Sequence, residues 1–513
     1  MLKKIQYNHS DVNREMSKYA FPGFLDLVEM RELVDDCVGI LKTVEEKKKY
    51  LPPTKWQQKF PEKYLEFLFR ALFPGETKYS VDVYQGLFNI GEPQVKLPED
   101  GRLDYLINDA SVTRDGLKQI QVRCNNEQMT HGLRLLLLEV RDDDKKPFFI
   151  QEYEANQYLR AHFTKSLVSG ESIADVVLLN ESGLVNDIEN WTYIPDYRLR
   201  ILALDRNMEY YQRSITREEL GTFDLLNPPQ DEKTVYPAYS GKRFNRIPLV
   251  WCGAKSNSAT DLDQPQLLSM AQTELKLFLC MAHNSQHIYM NTQESIVITG
   301  TSQAFKLKDD EFVAGSVVVI PGEHAKAQYL STNGIGFDAE EKEIERLLNS
   351  IDKQRLSLMS AKSHQSGTVV GLVQNSQSAP LRTVVTTSGN AITLILQHAA
   401  RWLGYDEKII ENTKYIPSEA FANPRYNLSE YIALCKAVAS GEVKMLEEDL
   451  YVMAKESHFI TSKLTWDQFK EKYEIEFEER KRKQGVVVQD TGNPFAANPN
   501  LEGAEDGNND PDA

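Results

Sequence analysis

The chain has 513 residues, 41% hydrophobic and 26% charged, and its 75 acidic against 59 basic side chains give a formal net charge of -16. That length suggests about two to four structural units. The charge excludes a histone-like or polybasic nucleic-acid binder, because affinity for phosphate scales with the Lys and Arg that neutralise it.

Apolar runs such as Leu135 to Leu138 and Leu277 to Ala282 fall far short of the ~18 residues a spanning helix needs, so no membrane span is expected. Mostly polar residues occupy Gln6 to Arg14, where a secretory signal would carry its apolar segment. Cys37, Cys124, Cys252, Cys280 and Cys435 are scattered without a C-x-x-C pair, the pattern of reduced intracellular thiols.

The first 90 residues read as helices broken by turns. Val34 to Lys48 suits one amphipathic segment stopped by Pro52-Pro53, and from Pro61 the residues Tyr64, Leu65, Leu68, Phe69 and Leu72 recur on one helix face until Pro74-Gly75. Gln119 to Tyr211 changes character to α+β: Leu133 to Val140, Phe148 to Ile150, Asp175 to Leu179 and Tyr197 to Leu204 have strand patterns, with Glu152 to Phe163 as a helix beside them.

After Pro248 to Trp251, Asp263 is placed to cap a long helix with Pro265 in its first turn, and Leu267, Ala271, Leu275, Phe278 and Ala282 line it through to Met290. Ser295 to Thr299, Phe312 to Ile320 and Ala327 to Leu330 read as strands, with Gly300, Gly315, Gly322 and Gly334 as turns or bulges. A second long helix is expected from Asp338, with Glu341 completing a capping box and Ile344, Leu347, Leu348, Ile351, Leu358 and Met359 on one face. The order is helix, small β module, helix.

Ala361 to Ala379 is mostly Ser, Gln, Gly, Val and Asn with Lys362 as its one basic residue, too long and aperiodic for an ordinary connector. Leu381 to Leu403 forms a further helix stopped by Gly404. Ser429 to Ala439, Glu442 to Lys455 and Thr465 to Lys483 are helical by pattern, and the acidic tail beyond Gly485 is expected to be disordered.

Catalytic motifs are missing from this layout. There is no G-x-x-x-x-G-K-[ST] phosphate loop, no G-x-S-x-G elbow and no H-E-x-x-H. His283 and His287 are four apart on one helix face without a carboxylate between them, which suits an ordinary polar face better than a metal. The acidic clusters Asp35-Asp36, Asp142 to Asp144 and Glu447 to Asp449 read as solvated surface, and the basic run Arg480 to Lys483 as a helix C-terminus. No cofactor, metal site or enzymatic activity is expected.

Four stretches carry a resemblance: VNREMSKYAFPGFLDLVEMRELVDD leading to YLPP, PFFIQEYEANQYLRAHF, IPLVWCGAKSNSATDLDQPQLLSMAQTELKLFLCMAHNSQHIYMNTQESIVITG, and QRLSLMSAKSHQSGTVVGLVQNSQSAPLRTVVTTSGNAITLILQHAARWLGY. In the order of its parts the chain resembles bacteriophage portal proteins, within a portal-like group long filed as a phage domain of unknown function. The resemblance implies a mainly helical α+β portal fold: wing region 1-263, stem helix 264-290, clip 291-336, second stem helix 337-360, tunnel loop 361-380, wing helix and connection 381-424, helical crown 425-484 and acidic tail 485-513.

It further implies a homo-oligomeric ring, usually of twelve subunits, assembled in the host cytoplasm and resident at one capsid vertex of the virion. Double-stranded DNA would pass through it in packaging and ejection, and terminase, then a head-tail adaptor, would dock on it among capsid and scaffold proteins. On that resemblance Lys362, Ser363, His364, Gln365, Ser366, Gly367, Gln374 and Asn375 would face the DNA channel. Phe305, Lys306, Lys308, Asp309 and Asp310 would belong to the docking clip, and Leu275, Phe278, Leu347, Ile351 and Leu358 would pack between subunits. A head-tail adaptor, a minor capsid protein or a metal-dependent phage nuclease are the alternatives. The charge and the nearly uncharged 361-380 stretch suit a bore that lets phosphate slide.

Overall fold

A computed structural model of the protein describes residues 16–143, 145–165, 172–187, 192–216, 219–221, 223–259, 262–292, 295–299, 317–318, 326–330, 335–359, 379–418, 435–436, 438, 447–456 and 466–472. The chain divides into two units, Met1–Ser418 and Glu419–Ala513.

Helices dominate the start: α1 (Phe24–Gly39), α2 (Val44–Tyr50), α3 (Lys55–Lys59), α4 (Pro61–Arg70) and α5 (Glu76–Phe88). One helix across Val34 to Lys48 does not form. The backbone turns at Ile40 (φ 55), and Thr43 starts α2 with a capping box in which the Glu46 amide donates to Thr43 Oγ1 at 3.3 Å and the Thr43 amide to Glu46 Oε2 at 2.9 Å. In α4, Tyr64, Phe67 and Leu68 are buried, whereas Phe69 and Leu72, expected on the same face, are each 71% exposed. The buried Lys47 ammonium donates to Leu68 O at 3.1 Å and Ala71 O at 2.6 Å, a cation at the end of α4 where free carbonyls concentrate negative charge.

Next come β1 (Gln94–Lys96), α6 (Leu117–Thr130), β2 (Leu133–Val140), β3 (Phe148–Glu154), β4 (Tyr158–Lys165), β5 (Ser172–Asn180), β6 (Gly183–Asp187) and β7 (Thr192–Asp196). They are followed by β8 (Arg198–Leu204), β9 (Tyr210–Thr216), β10 (Thr234–Val235), β11 (Ala238–Tyr239), β12 (Lys242–Arg243) and β13 (Leu249–Gly253). A five-stranded sheet has the order β10-β9-β8-β5-β4, and a three-stranded sheet the order β13-β2-β3. The helix expected at Glu152 to Phe163 is instead the end of β3, a turn and β4. Its Glu, Ala, Gln and Leu favour a helix only weakly, and pairing of β3 with β2 and of β4 with β5 overrides them.

The remaining elements are α7 (Leu268–Thr292), β14 (Ser295–Thr299), β15 (Val317–Val318), β16 (Lys326–Leu330), α8 (Ile335–Met359), α9 (Ala379–Leu403), α10 (Glu407–Asn412), β17 (Lys414–Ile416) and, in the second unit, α11 (Glu447–Glu456). β14 pairs antiparallel with β16 from Ser295↔Leu330 to Thr299↔Lys326, and parallel with β15. Asp263 does not cap α7: its carboxylate accepts from the Lys255 amide at 2.7 Å and fixes the turn after β13. Asp338 lies inside α8, which starts at Ile335, so it cannot open the helix with Glu341.

The main core is formed where α6 and α9 cover β2 and β13, with Leu136, Leu138, Ile392, Ile395 and Trp402 among its buried residues. Phe244 stacks on Trp402 with centroids 4.7 Å apart. Polar stitches cross the same layer, since Gln128 Nε2 donates to Gly253 O at 2.7 Å and to Thr387 Oγ1 at 3.0 Å. A second core, containing Phe24, Val28, Leu178, Ile201 and Tyr211, joins α1 to the larger sheet. Between strands, Arg200 hydrogen-bonds Glu139, Gln212 and the Tyr153 hydroxyl, so the charge at Glu139 is neutralised on site. In the second unit the rings of Tyr451 and Phe469 meet at 4.6 Å.

Among the described residues no helix is long and apolar enough to cross a membrane. The tail 485-513, Arg480 to Lys483, Gly300, Gly315, Gly322, Gly334 and most of the expected 425-484 helices lie outside the described residues.

The α6–β2 junction leaves no room for a side chain. Gly132 has φ +80, and a Cβ there would come within 2.3 Å of Asp263 O. Gly132→Ala should lower stability by at least about 1–3 kcal/mol, the ordinary cost of such backbone strain, read from the urea midpoint. Next to it His131 is paired with Asp35 (2.9 Å) and Glu127 (2.8 Å). Burial alone would lower its pKa, but those carboxylates outweigh burial and lift it to about 10. A raised histidine stabilises fully below about pH 6.5 and loses that contribution as pH rises through about 10. Unfolding free energy should therefore fall over that window in the wild type, with a shallower slope in His131→Gln.

Candidate assembly surface

Helix α7 is the axis of this region, and its neighbours follow from the angular order of its side chains. At about 100° per residue, Phe278, Ala282 and Tyr289 lie on one side and Thr273, Cys280 and His287 on the opposite side. The first side meets α4: Phe278 and Ala282 share a buried cluster with Tyr64, Phe67 and Leu68, and the Arg70 guanidinium lies 3.7 Å over the Tyr289 ring. Phe73 packs edge-on against Phe278 at 5.2 Å, and Arg70 Nη2 donates to Gln286 Oε1 at 2.8 Å.

The second side meets α8. Gln354 Nε2 donates to Thr273 Oγ1 at 3.2 Å, and His287 pairs with Glu340 at 2.8 Å. The two contacts are fourteen residues apart on both helices, as a regular antiparallel pair requires. Lys276 pairs with Glu343 at 2.8 Å. Hydrogen bonds from Arg346 and then Lys276 hold the Glu343 carboxyl at about 2, so the pair stays charged across the neutral range. β14 and β16, which immediately follow α7 and precede α8, tie the same end of the pair together.

On a third side of α7, the fully buried Glu274 carboxylate accepts from the Glu76 amide at 2.6 Å and the Thr77 amide at 2.8 Å. Those amides open α5, where unpaired N–H groups and the helix dipole favour an anion. Burial pushes the Glu274 carboxyl up, against the opposing pull of its hydrogen bonds. From α8, Arg355 Nε donates to Ser80 Oγ at 2.9 Å and its Nη2 pairs with Glu76 Oε2 at 2.5 Å. The first turn of α5 is thus held by a carboxylate of α7 and a guanidinium of α8.

The surfaces left open have opposite character. On α8, Glu340, Glu343, Leu347, Ile351 and Gln354 turn toward α7, while Asp338, Glu341, Glu345, Leu348 and Asp352 form an exposed stripe on the far side. On the α4 side, residues 42 to 63 hold seven lysines against three glutamates, and Lys42, Lys55 and Lys59 are exposed. A groove of about 460 Å³ runs beside it, lined by Leu51, Pro52, Thr54, Gln57 and Phe67 and by Leu279, His283, Gln286, His287 and Met290 of α7.

Leu275 and Phe278 pack inside the subunit in the α4 cluster, and Leu347 and Ile351 are buried within it as well. All four pack against the chain's own helices, Leu275 with part of its surface still exposed. A row of leucines at helical spacing reads alike for either role. The Leu358 side chain, the residues Lys362 to Gln374 and Asn375, and the residues Phe305, Lys306, Lys308, Asp309 and Asp310 lie outside the described residues.

Glu274, Arg355 and the acidic stripe were not singled out from the sequence, although the stripe's three- and four-residue spacing carried a signal. His283 lies against Phe67 with centroids 6.3 Å apart, and among the described residues no group of three or more His, Cys, Asp or Glu is placed to hold a metal. Asp35 is taken by His131, and Asp36 by Lys49 and Tyr50.

Residues 266–403, from the start of α7 through α9, match a family described as Domain of unknown function (DUF4055), which is less than half of the chain. No curated protein matches. Among solved structures, a chain of the "Neck of empty GTA particle computed with C6 symmetry" is similar with a TM-score of 0.33 and 10% identity, over 77% of this chain and 94% of that one. A likeness that distant transfers neither fold nor function.

The Glu274 junction gives a stability prediction. Glu274→Ala leaves the part-buried Glu76 amide and the buried Thr77 amide without their acceptor and should cost about 2–4 kcal/mol, since each lost bond to a charged group is worth about 1.5–3 kcal/mol and packing partly relaxes. Glu274→Gln keeps one acceptor oxygen but turns an NH2 donor toward the other amide, so it should cost less than the alanine variant by about the one bond it retains. Guanidinium unfolding of both variants measures the difference.

Proposed function

We propose that the protein is a non-enzymatic portal subunit: copies form a ring at one capsid vertex, and double-stranded DNA passes through its centre during packaging and ejection. The observation that carries the reading is the module of two antiparallel helices, α7 and α8, joined at one end by the β14–β16 sheet and anchored at Glu274 and Arg355 to a helical and α+β body. In this reading the helix pair is the stem, the small sheet belongs to the clip that terminase and adaptor meet, and α9 is the long wing helix.

The charge balance supports the same function. About a dozen copies at -16 each would repel phosphate and let a duplex slide rather than bind. The stretch 361-380 would supply a nearly uncharged lining, with Ser363, Gln365 and Ser366 facing the bore.

Negative-stain microscopy of the purified full chain tests the assembly. The expected result is rings with a central hole; a stable monomer at micromolar concentration in every condition tried contradicts the reading. Lysine at positions 363, 365 and 366 should leave rings intact while slowing DNA translocation in a packaging assay, and loss of rings instead would assign that stretch to packing.

A further inference from the structure

We infer that the acidic outer face of α8 docks on the lysine-rich face of residues 42 to 63 in a second copy of the same chain. The inference rests on the portal reading above only for the closure of this contact into a ring. Four observations carry it.

The two faces are opposite in charge. Residues 335 to 352 contain six acidic against two basic side chains, and residues 42 to 63 contain seven lysines against three glutamates. Within the first segment Glu340 and Glu343 turn inward to His287 and Lys276, which leaves Asp338, Glu341 and Glu345 exposed on one row. Within the second, Lys48 and Lys49 are matched by Glu45 and Asp36, which leaves Lys42, Lys55 and Lys59 exposed.

The faces also lie on separate elements packed around α7. α4 and α8 lie on opposite sides of α7, as the contacts of Phe278 and Ala282 against those of Thr273 and His287 establish. One subunit therefore offers an acidic face on α8 and a basic face on the segment that leads into α4. A two-fold contact centred on either face would set like charges against each other. Head-to-tail stacking brings unlike faces together and repeats from copy to copy, which closes where the rotation permits.

Each face has an apolar component near its charges. Leu348 lies in the acidic row and is 38% exposed, while Leu51, Leu279 and Met290 line the groove beside the lysines. A flat charged patch gives steering without a seat; a leucine entering an apolar groove fixes register. Finally, the chain as a whole repels itself at -16, so copies need a local complementary patch to associate in one orientation.

The test is charge reversal in the full-length protein. Glu341→Lys with Glu345→Lys, and separately Lys55→Glu with Lys59→Glu, should each raise the concentration for half-assembly by about tenfold or more in low salt, read by mass photometry. The four substitutions together should restore assembly toward the wild-type value. All positions are exposed, and unchanged thermal melting of the variants confirms that folding is intact.

Wild-type-like assembly of both double variants, or failure of the quadruple variant to recover, overturns the docking face while leaving the portal reading in place. A wild-type protein that never assembles overturns the ring itself. Raising the salt to about 1 M, where the screening length falls to about 3 Å, should raise the wild-type concentration for half-assembly and lower that of the reversed doubles, whose like charges it screens.

Discussion

A carboxylate sealed from water sets the position of everything around the long helices. Glu274 is buried in the body of the protein, and its oxygens are engaged by the first two amides of α5. A charge in that position is costly unless it is fully bonded, so α7 has one rotational setting relative to α5. With α7 so fixed, Phe278 and Ala282 must meet α4, and Thr273, Lys276 and His287 must meet α8. Arg355 closes the arrangement by joining α8 to the same turn of α5. Two helices of about 38 Å each are therefore held as an antiparallel pair against α4 and α5.

Much of this was legible in the amino-acid order. Leu267 to Met290 and Leu381 to Leu403 announce their helices through apolar residues at strides of three and four, and the Pro and Gly that bound them are the residues that cannot continue a helix. The strands at Leu133 to Val140 and Ser295 to Thr299 are short apolar runs of the kind a sheet buries. What misled was local chemistry with two possible partners. Glu152 to Phe163 has helix-forming residues, but its backbone is claimed by β2 and β5; Asp263 has the right residue type for a helix cap, but its carboxylate is claimed by Lys255. No local pattern records which distant amide a carboxylate will meet, which is why Glu274 also went unread.

The candidate surface was harder to read than the fold for a related reason. An apolar helix face signals burial without naming its partner, and Leu275, Phe278, Leu347 and Ile351 find theirs within the subunit. The outward face of the pair is instead written in charge: acidic residues on the far side of α8, lysines before α4. Those residues look like ordinary solvated surface until the fold shows that they lie on separate elements packed around one helix. The arrangement gives the subunit polarity, a requirement for any head-to-tail assembly.

Zero-length carboxylate–amine crosslinking of the assembled protein, prepared from a mixture of heavy- and light-isotope copies, tests this polarity most directly. Crosslinks between Lys55 or Lys59 and Asp338, Glu341 or Glu345 should contain one heavy and one light peptide in the mixed proportion. Assembled rings whose crosslinks at these positions are all of uniform isotope, or which join the acidic stripe to some other surface, would contradict it.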